Sequence, residues 1–565
     1  MTRNPDGLPR IFGALPLVCV CTLPPANALE QPRQAAIASP NPLAGAAGRE
    51  VMVAGGNAFD AAIAISATLA VVEPYSTSLG GGGFFLLRQH GDPAQYQFLD
   101  AREKAPLKAS PKMFRRRGVV QPDLSLNGPL ASGVPGLPAA LVELAEHYGK
   151  LPLSITLAPA IRLAYQGFPV DHIYRERAHW RLFALRNDPE SARLFLRDNN
   201  VPELGELIQQ PELARTLDRM ACRGWSGFYG GLTGQALVNG VRSAGGVWGY
   251  ADLEGYEVIP RQPLRMALDQ QRELISAPPP SIGGVVLAQS LGMLQRIPWR
   301  DADHVGRAHL VAEVLRRAYR DRNELGDPGS ISNPLRALLA PAYLAQQAAG
   351  IDQRHAMPGR NPPAAYWHEG DQAAHFAVLD TEGNAVAGTL SVNLPFGAAF
   401  TVPGTGLLLN NVMNNFAADS QGSATTNRHN LIEPGKRPLS NMSPSFIEGP
   451  HDLAAFGTGG GSRVPGTVLL AMLQYLDGEP ITHWAAAPRF HPSYMPDVLK
   501  FEPGAFTEDE QRELQTIGHA LKQTNRAYGN QQVLLWQKDS SHVEAASDPR
   551  GLGVSETFDP KQPRR

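Results

Sequence analysis

The sequence predicts an α+β protein with helices and strands interspersed along one large chain. Three observations carry that expectation. The first is a hairpin pattern: two apolar runs, His375–Leu379 and Ala385–Leu394, flank the turn-rich Asp380-Thr381-Glu382-Gly383-Asn384, where Gly and Asn supply positive φ angles. The second is helical periodicity, in the apolar stripe Leu141, Leu144, Ala145 and Tyr148 and again across His309–Arg322. The third is composition: the chain has 565 residues, 43% hydrophobic and 18% charged, a globular balance with material for a large core.

Taken in order, Met1–Ala28 reads as a secretory signal. Arg3 and Arg10 form its basic flank, Ile11–Leu23 its apolar run, and Ala26-Asn27-Ala28 a small-residue cleavage pattern. The apolar run is too short to span a bilayer, and no later run reaches that length, so no transmembrane span is expected. Export to a bacterial periplasm or beyond follows; an uncleaved N-terminal anchor is the alternative. Cys19 and Cys21 fall in this segment and Cys222 stands alone, so no internal disulfide is expected. A net charge of −2 without a Lys/Arg cluster argues against nucleic acid as a partner.

Asn57 stands at an N-cap position before a buried Ala/Ile helix. The run Gly80-Gly81-Gly82-Gly83 lacks the Lys-Ser/Thr of a phosphate loop and feeds a strand, so close backbone packing is expected. Pro138 near the first turn and Gly149 past the end bracket another helix. His304 and His309 lack the i, i+4 spacing of a helical metal pair, and no other Cys/His/Asp set resembles a metal site; no cofactor is expected. Asn361–Gly370 is Pro-rich and irregular, suited to a linker or chain break, and Ser420–Gly435 is a candidate mobile loop. In the second hairpin run Val386, Leu390, Val392 and Leu394 face one way, and Thr389, Ser391 and Asn393 the other. Two hydroxyls and a carboxamide on one strand face form either a solvated surface or a polar site.

The hairpin resembles the start of the small subunit of the gamma-glutamyltransferases (gamma-glutamyl transpeptidases, glutathione hydrolases). These are N-terminal-nucleophile hydrolases that cut themselves before a threonine. The family pattern Thr-Thr-His-Tyr-Ser-Val-Val-Asp is matched by Ala373-Ala374-His375-Phe376-Ala377-Val378-Leu379-Asp380. Further motifs follow in family order: Gly55–Ala62, Val72-Glu73-Pro74, Gly80–Phe84, Pro278–Gly284, Gly406–Phe416, Lys436–Pro444 and Gly457–Arg463. The resemblance implies a stacked α/β/β/α sandwich built jointly by a large-subunit-like region, 29–372, and a small-subunit-like region, 373–565, packed together. It implies a γ-glutamyl or acidic acyl ligand and assigns roles. Ala373 takes the nucleophile position, accompanied by Ser391 and Asn393. Gly460 and Gly461 are oxyanion donors. Arg102 holds the substrate α-carboxylate, with Ser440 and Asn441 beside it. Val412 and Asn415 stand where the family places a Gln or Glu and an Asp on the α-amino group.

Alanine has no hydroxyl, so neither self-cleavage nor acyl transfer can start from Ala373, and Ala374 cannot stand in. Two readings follow. One is an uncleaved, catalytically impaired pseudoenzyme that binds a small acidic or acyl ligand. The other is an active γ-glutamyl or other acyl hydrolase or transferase with a different nucleophile. Ser391 and Thr389 are then the nearest candidates, and the sequence offers neither an evident base. No G-x-S-x-G is present to suggest a nucleophile elbow.

Overall fold

The predicted hairpin forms from strands Gln372–Leu379 and Ala385–Asn393. Its turn is organised by the carboxylate of Asp380. One oxygen accepts the N–H groups of Glu382 and Asn384, each at 2.9 Å. The other accepts the Asn384 amide at 2.8 Å and the Ala58 N–H at 3.0 Å. Ala58 opens the helix Ala58–Val72, which is buried along its whole length. Asn57 caps that helix as expected, accepting from Phe59 and Asp60, and Asp60 completes a capping box. One side chain therefore joins the hairpin to the principal buried helix.

In this computed structural model the described residues are 1, 31–269, 271–357, 372–417, 427–493 and 497–562, with Gln372 described in its backbone only. The signal segment (Met1 apart), the Asn361–Gly370 stretch and residues 420–426 of the expected loop lie outside them.

A seven-stranded sheet carries the hairpin at its centre. On one side lie Ala35–Ser39 and then Val554–Phe558; on the other lie Gly82–Gln89, Gln95–Ala101 and Ile259–Arg261. All its pairings are antiparallel. A second, six-stranded antiparallel sheet orders His542–Ser547, Gln532–Gln537, Asp452–Phe456, Ser445–Glu448, Glu273–Ser276 and Leu264–Ala267. Both sheets draw strands from before and after residue 372.

The period-2 alternation of the strands builds three apolar layers. Phe85, Leu87, Val386 and Leu390 pack with helix Ala58–Val72. Phe84, Leu86, Ala385 and Ala387 face the second sheet through Phe446, Leu453, Leu534 and Trp536. The far face of the second sheet, Leu274, Ile447 and Phe456, is covered by helices Gly283–Leu294, His304–Asp321 and Val464–Leu476. The architecture is the expected α/β/β/α sandwich. The glycine run packs as expected too: a Cβ at Gly80 would lie 2.1 Å from the Leu408 carbonyl oxygen, and one at Gly83 2.4 Å from that of Thr389. Among the described residues no helix is long and apolar enough to cross a membrane.

Replacing Asp380 with alanine strands the N–H groups of Ala58, Glu382 and Asn384. Hydrogen bonds to a charged acceptor contribute about 1.5–3 kcal/mol each, so D380A should lose about 3 kcal/mol or more, read as a lower urea midpoint at constant slope. An unchanged midpoint would refute the role given to Asp380.

Candidate active site

The strand Gln372–Leu379 begins irregularly. Gln372 pairs with Asn393 and Ala374 with Leu390, so a register shift leaves Ala373 out of the ladder; such bulges re-aim side chains at strand ends. Ala373 is half-buried and lines a cavity of about 320 Å³ together with Gly459 and Gly460. A Cβ at Gly459 would sit 2.1 Å from the Ala373 carbonyl oxygen, so only glycine fits there. Gly460 and Gly461 have φ of 135° and 58° and turn the chain into helix Val464–Leu476, whose N-terminus carries partial positive charge. The Thr458 hydroxyl braces this turn, donating to the Gly459 carbonyl at 2.8 Å and accepting the Asn530 N–H at 2.9 Å.

The polar face of Ala385–Asn393 is not a solvated surface, because all nine residues of the strand are buried. Asn393, at φ 79°, donates through its amide to the carbonyl and side-chain oxygens of Asn411 at 3.1 and 3.0 Å. The Ser391 hydroxyl oxygen accepts the Asn393 N–H at 2.8 Å. Thr389 departs from expectation: it does have an imidazole partner, with His375 Nδ1 2.8 Å from its Oγ1. The two face each other across the hairpin, a neighbour relation that depends on register. Both are fully buried, a Cβ on Gly457 would come within 2.2 Å of the His375 ring, and burial drives His375 down to about 3. The pair is a neutral packing contact, closed to substrate.

The expected anchor residues form a second cluster. Arg102, Asn415, Ser440 and Asn441 are each at most 1% exposed. Arg102 donates from Nη1 to Glu103 at 3.2 Å, from Nη2 to the Leu439 carbonyl at 3.2 Å and from Nε to the Pro438 carbonyl at 3.4 Å. These bonds use three of its five N–H groups and leave one on each terminal nitrogen. The Ser440 hydroxyl oxygen accepts the Met442 N–H, and the Asn441 carbonyl accepts the Ser443 hydroxyl. Asn430 joins Leu439 to Asn415, accepting from the first and donating to the carbonyl of the second. Within the expected loop, Asn430 thus bonds into the core, while Asn427 caps the short turn that follows it by accepting the His429 N–H. The Asn415 amide itself is buried without a hydrogen-bond partner among the described residues. Val412 is buried against Gly133. Gly82 connects the clusters: it pairs with Ser391 and lies against the Glu103 carboxylate.

Residues 44–558 match the profile of the family Gamma-glutamyltranspeptidase. The chain belongs to that family. Among curated relatives, the glutathione hydrolase proenzyme of Pseudomonas aeruginosa is 37% identical over 544 residues, covering 92% of this chain and 94% of the relative. The Escherichia coli glutathione hydrolase proenzyme is 34% identical over 540 residues, covering 92% and 91%. A solved cephalosporin acylase from Bacillus halodurans shares the fold at TM-score 0.81 and 24% identity, covering 95% of this chain and 98% of its own. The gamma-glutamyltranspeptidase of Helicobacter pylori aligns at TM-score 0.54 and 34% identity over 56% of this chain and 92% of that one. This family member thus has the N-terminal-nucleophile hydrolase fold expected of it.

Several cavity residues were not singled out as site residues from sequence. Glu73, Tyr528 and Arg550 line the cavity with Ala373, and the first was visible only as part of Val72-Glu73-Pro74. A carboxylate directly after fifteen buried helical residues was the available signal. Among the described residues no group of three or more His, Cys, Asp or Glu is placed to hold a metal.

His375 and His491 are both buried and both held down to about 3. Burial does this for each, with Arg463, Lys500 and Arg322 adding to it for His491. The unfolded chain, with histidines near 6.5, binds more protons than the folded one below that pH. Stability is therefore full above about 6.5 and falls as pH drops towards 3, by about 1.4 kcal/mol per unit per histidine. Urea midpoints at pH 7, 6 and 5 should decline in that order; a flat series would show that these histidines are not buried neutral.

Proposed function

We propose that this gamma-glutamyltranspeptidase-family chain stays uncleaved, cannot use the N-terminal threonine route, and keeps a pocket for an acidic acyl ligand. The observation that carries this is the alanine at residue 373, at the start of a central strand beside the glycine turn. A methyl group can attack neither the preceding peptide bond nor a substrate, and losing a hydrolase nucleophile removes on the order of 10⁶-fold in turnover. Here no free N-terminal amine forms either. The regions 29–372 and 373–565 would then persist as one chain, exported once Met1–Ala28 is removed.

The anchor cluster supports a ligand with a carboxylate and no α-amine. Arg102 retains a donor on each terminal nitrogen, the geometry that suits a carboxylate. Val412 and Asn415 bring no charge to an ammonium group. Lost charge-assisted contacts of about 1.5–3 kcal/mol correspond to roughly tenfold or more in affinity.

Intact mass of purified protein should show a single chain in fresh and aged samples. Two fragments split between Gln372 and Ala373 would mean that another group performs the cleavage, and this reading would fail. In calorimetric titration, glutarate should bind at least about tenfold more tightly than glutamate, and R102Q should weaken both; equal affinities of the wild type for the two would remove the case for an amine-free ligand.

A further inference from the structure

The cavity at Ala373 opens onto a carboxyl group that the family reaction, as read above, leaves without a task. We propose that Glu73 makes this chain a water-using acyl hydrolase, its carboxylate activating a water that attacks the acyl carbon in place of a threonine hydroxyl. The substrate class is an ester or amide of a dicarboxylic acid lacking an α-amino group. The proposal rests on the reading above, that Ala373 marks the reaction centre and the glycine turn receives the oxyanion.

The geometry comes from one cavity of about 320 Å³, within the size range of small-ligand sites. Ala373, Gly459 and Gly460 line it, and so do Glu73, Ser76 and Tyr528. Glu73 is the residue at which helix Ala58–Val72 ends, and it is 5% exposed. The Ser76 hydroxyl and the Asn41 amide donate to its carboxylate, while burial and nearby Asp171 outweigh them and push it up to about 7. A base of that strength is half ionised near neutral pH, the condition that favours proton abstraction. The other charges around the cavity are engaged elsewhere. Arg177 and Arg526 pair with Glu176, and Arg550 pairs with Glu502 and Asp548. Tyr75, whose ionisation burial and the Glu73 charge push up, stands on the same wall, and His172 and Glu176 lie on the rim.

A second observation points to a ligand in the same space. Tyr528 is 8% exposed, yet its hydroxyl has no hydrogen-bond partner among the described residues. Burial pushes its ionisation upward, so it remains an O–H donor. Buried hydroxyls are normally paired; a small turn of the ring, which lines the cavity, would bring this one to a bound acyl or leaving-group oxygen.

The step balances without a co-reactant. The Glu73 carboxylate takes a proton from water as the water oxygen bonds to the acyl carbon. The carbonyl π pair moves to oxygen, where the glycine-turn N–H groups hold it. Collapse of that oxyanion breaks the bond to the leaving oxygen or nitrogen, which takes the proton back from Glu73. The product is the free acid, and no acyl-enzyme forms.

The test uses the full, uncleaved chain with the p-nitrophenyl monoester of glutaric acid as probe. Expected is hydrolysis above buffer, with kcat/KM rising with pH through about 7 and then levelling, and an intact mass that shows no acyl adduct during turnover. E73Q should be slower by about 100-fold or more and lose the rise. E73D should keep the rise at reduced rate, which a merely structural role would not produce. Y528F should lower kcat without moving the pH midpoint, and it covers the case in which E73Q fails to fold. Equal rates in wild type and E73Q, accumulation of acylated protein, or no hydrolysis above buffer would each overturn the proposal while the uncleaved-chain reading stands. A preparation found split at 372/373 overturns that reading, and this proposal with it.

Discussion

Strand Gln372–Leu379 is paired along one edge to Ala385–Asn393 and, over Ala377–Leu379, along the other to Ala35–Ser39, and the rest of the molecule is arranged around that constraint. A strand held on both sides cannot slide by one residue without turning its buried face outward. The hairpin register holds the strand from Ala374 onward, and the shift before it sets Ala373 outside the ladder, close against Gly459. The halves of the chain on either side of residue 372 each supply strands to both sheets. Neither half has a complete core alone, and the peptide link between them adds little to what the sheets already enforce. On such a scaffold the fold does not depend on which small side chain stands at residue 373.

The buried charges divide into two kinds. Most are neutralised within networks: Asp100 with Arg261 and Arg437, Glu448 with Arg88 and Lys538, and Asp548 with Arg489 and Arg550. These join segments distant in sequence, and removing one partner would leave an uncompensated buried charge. The Asp100 network fixes the end of strand Gln95–Ala101 beside the segment whose carbonyls receive Arg102. Glu73 belongs to the other kind, facing a like charge and neutral donors. Structural ion pairs account for the first kind; Glu73, bonded to Ser76 and Asn41, is an elevated carboxyl on a cavity wall, and perturbed groups of that sort concentrate at sites of chemistry.

Much of this was legible in the sequence, and the limits are physical. The helix behind Asn57, the hairpin and the packed glycine run were readable because each depends on residues within a few positions of one another. The layer order was not, since periodicity gives the face of a strand but not its neighbours; that expectation came from family resemblance. The polar face of Thr389, Ser391 and Asn393 was ambiguous for the same reason, because what covers it arrives from residues 411 and 457. The Thr389–His375 contact needs the hairpin register, and the role of Asn430 needs a loop to fold back onto Leu439 and Asn415. Glu73 reads locally as a helix end before a proline, and only the tertiary structure shows what it faces.

The Arg102 cluster and the cavity at Ala373 are thus environments of opposite character. On the Arg102 side the walls are fully buried, and their hydrogen bonds run mostly to backbone carbonyls that hold their places whatever occupies residue 373. On the Glu73 side lies open space with a titratable carboxyl and an unsatisfied phenol. Alanine carries two heavy atoms fewer than threonine, and the space they vacate adjoins Gly459 and Gly460. A water there would have donors to one side and a base within the same cavity. On the reading proposed here, the alanine that closes the family route would, in steric terms, also admit a water beside the glycine turn.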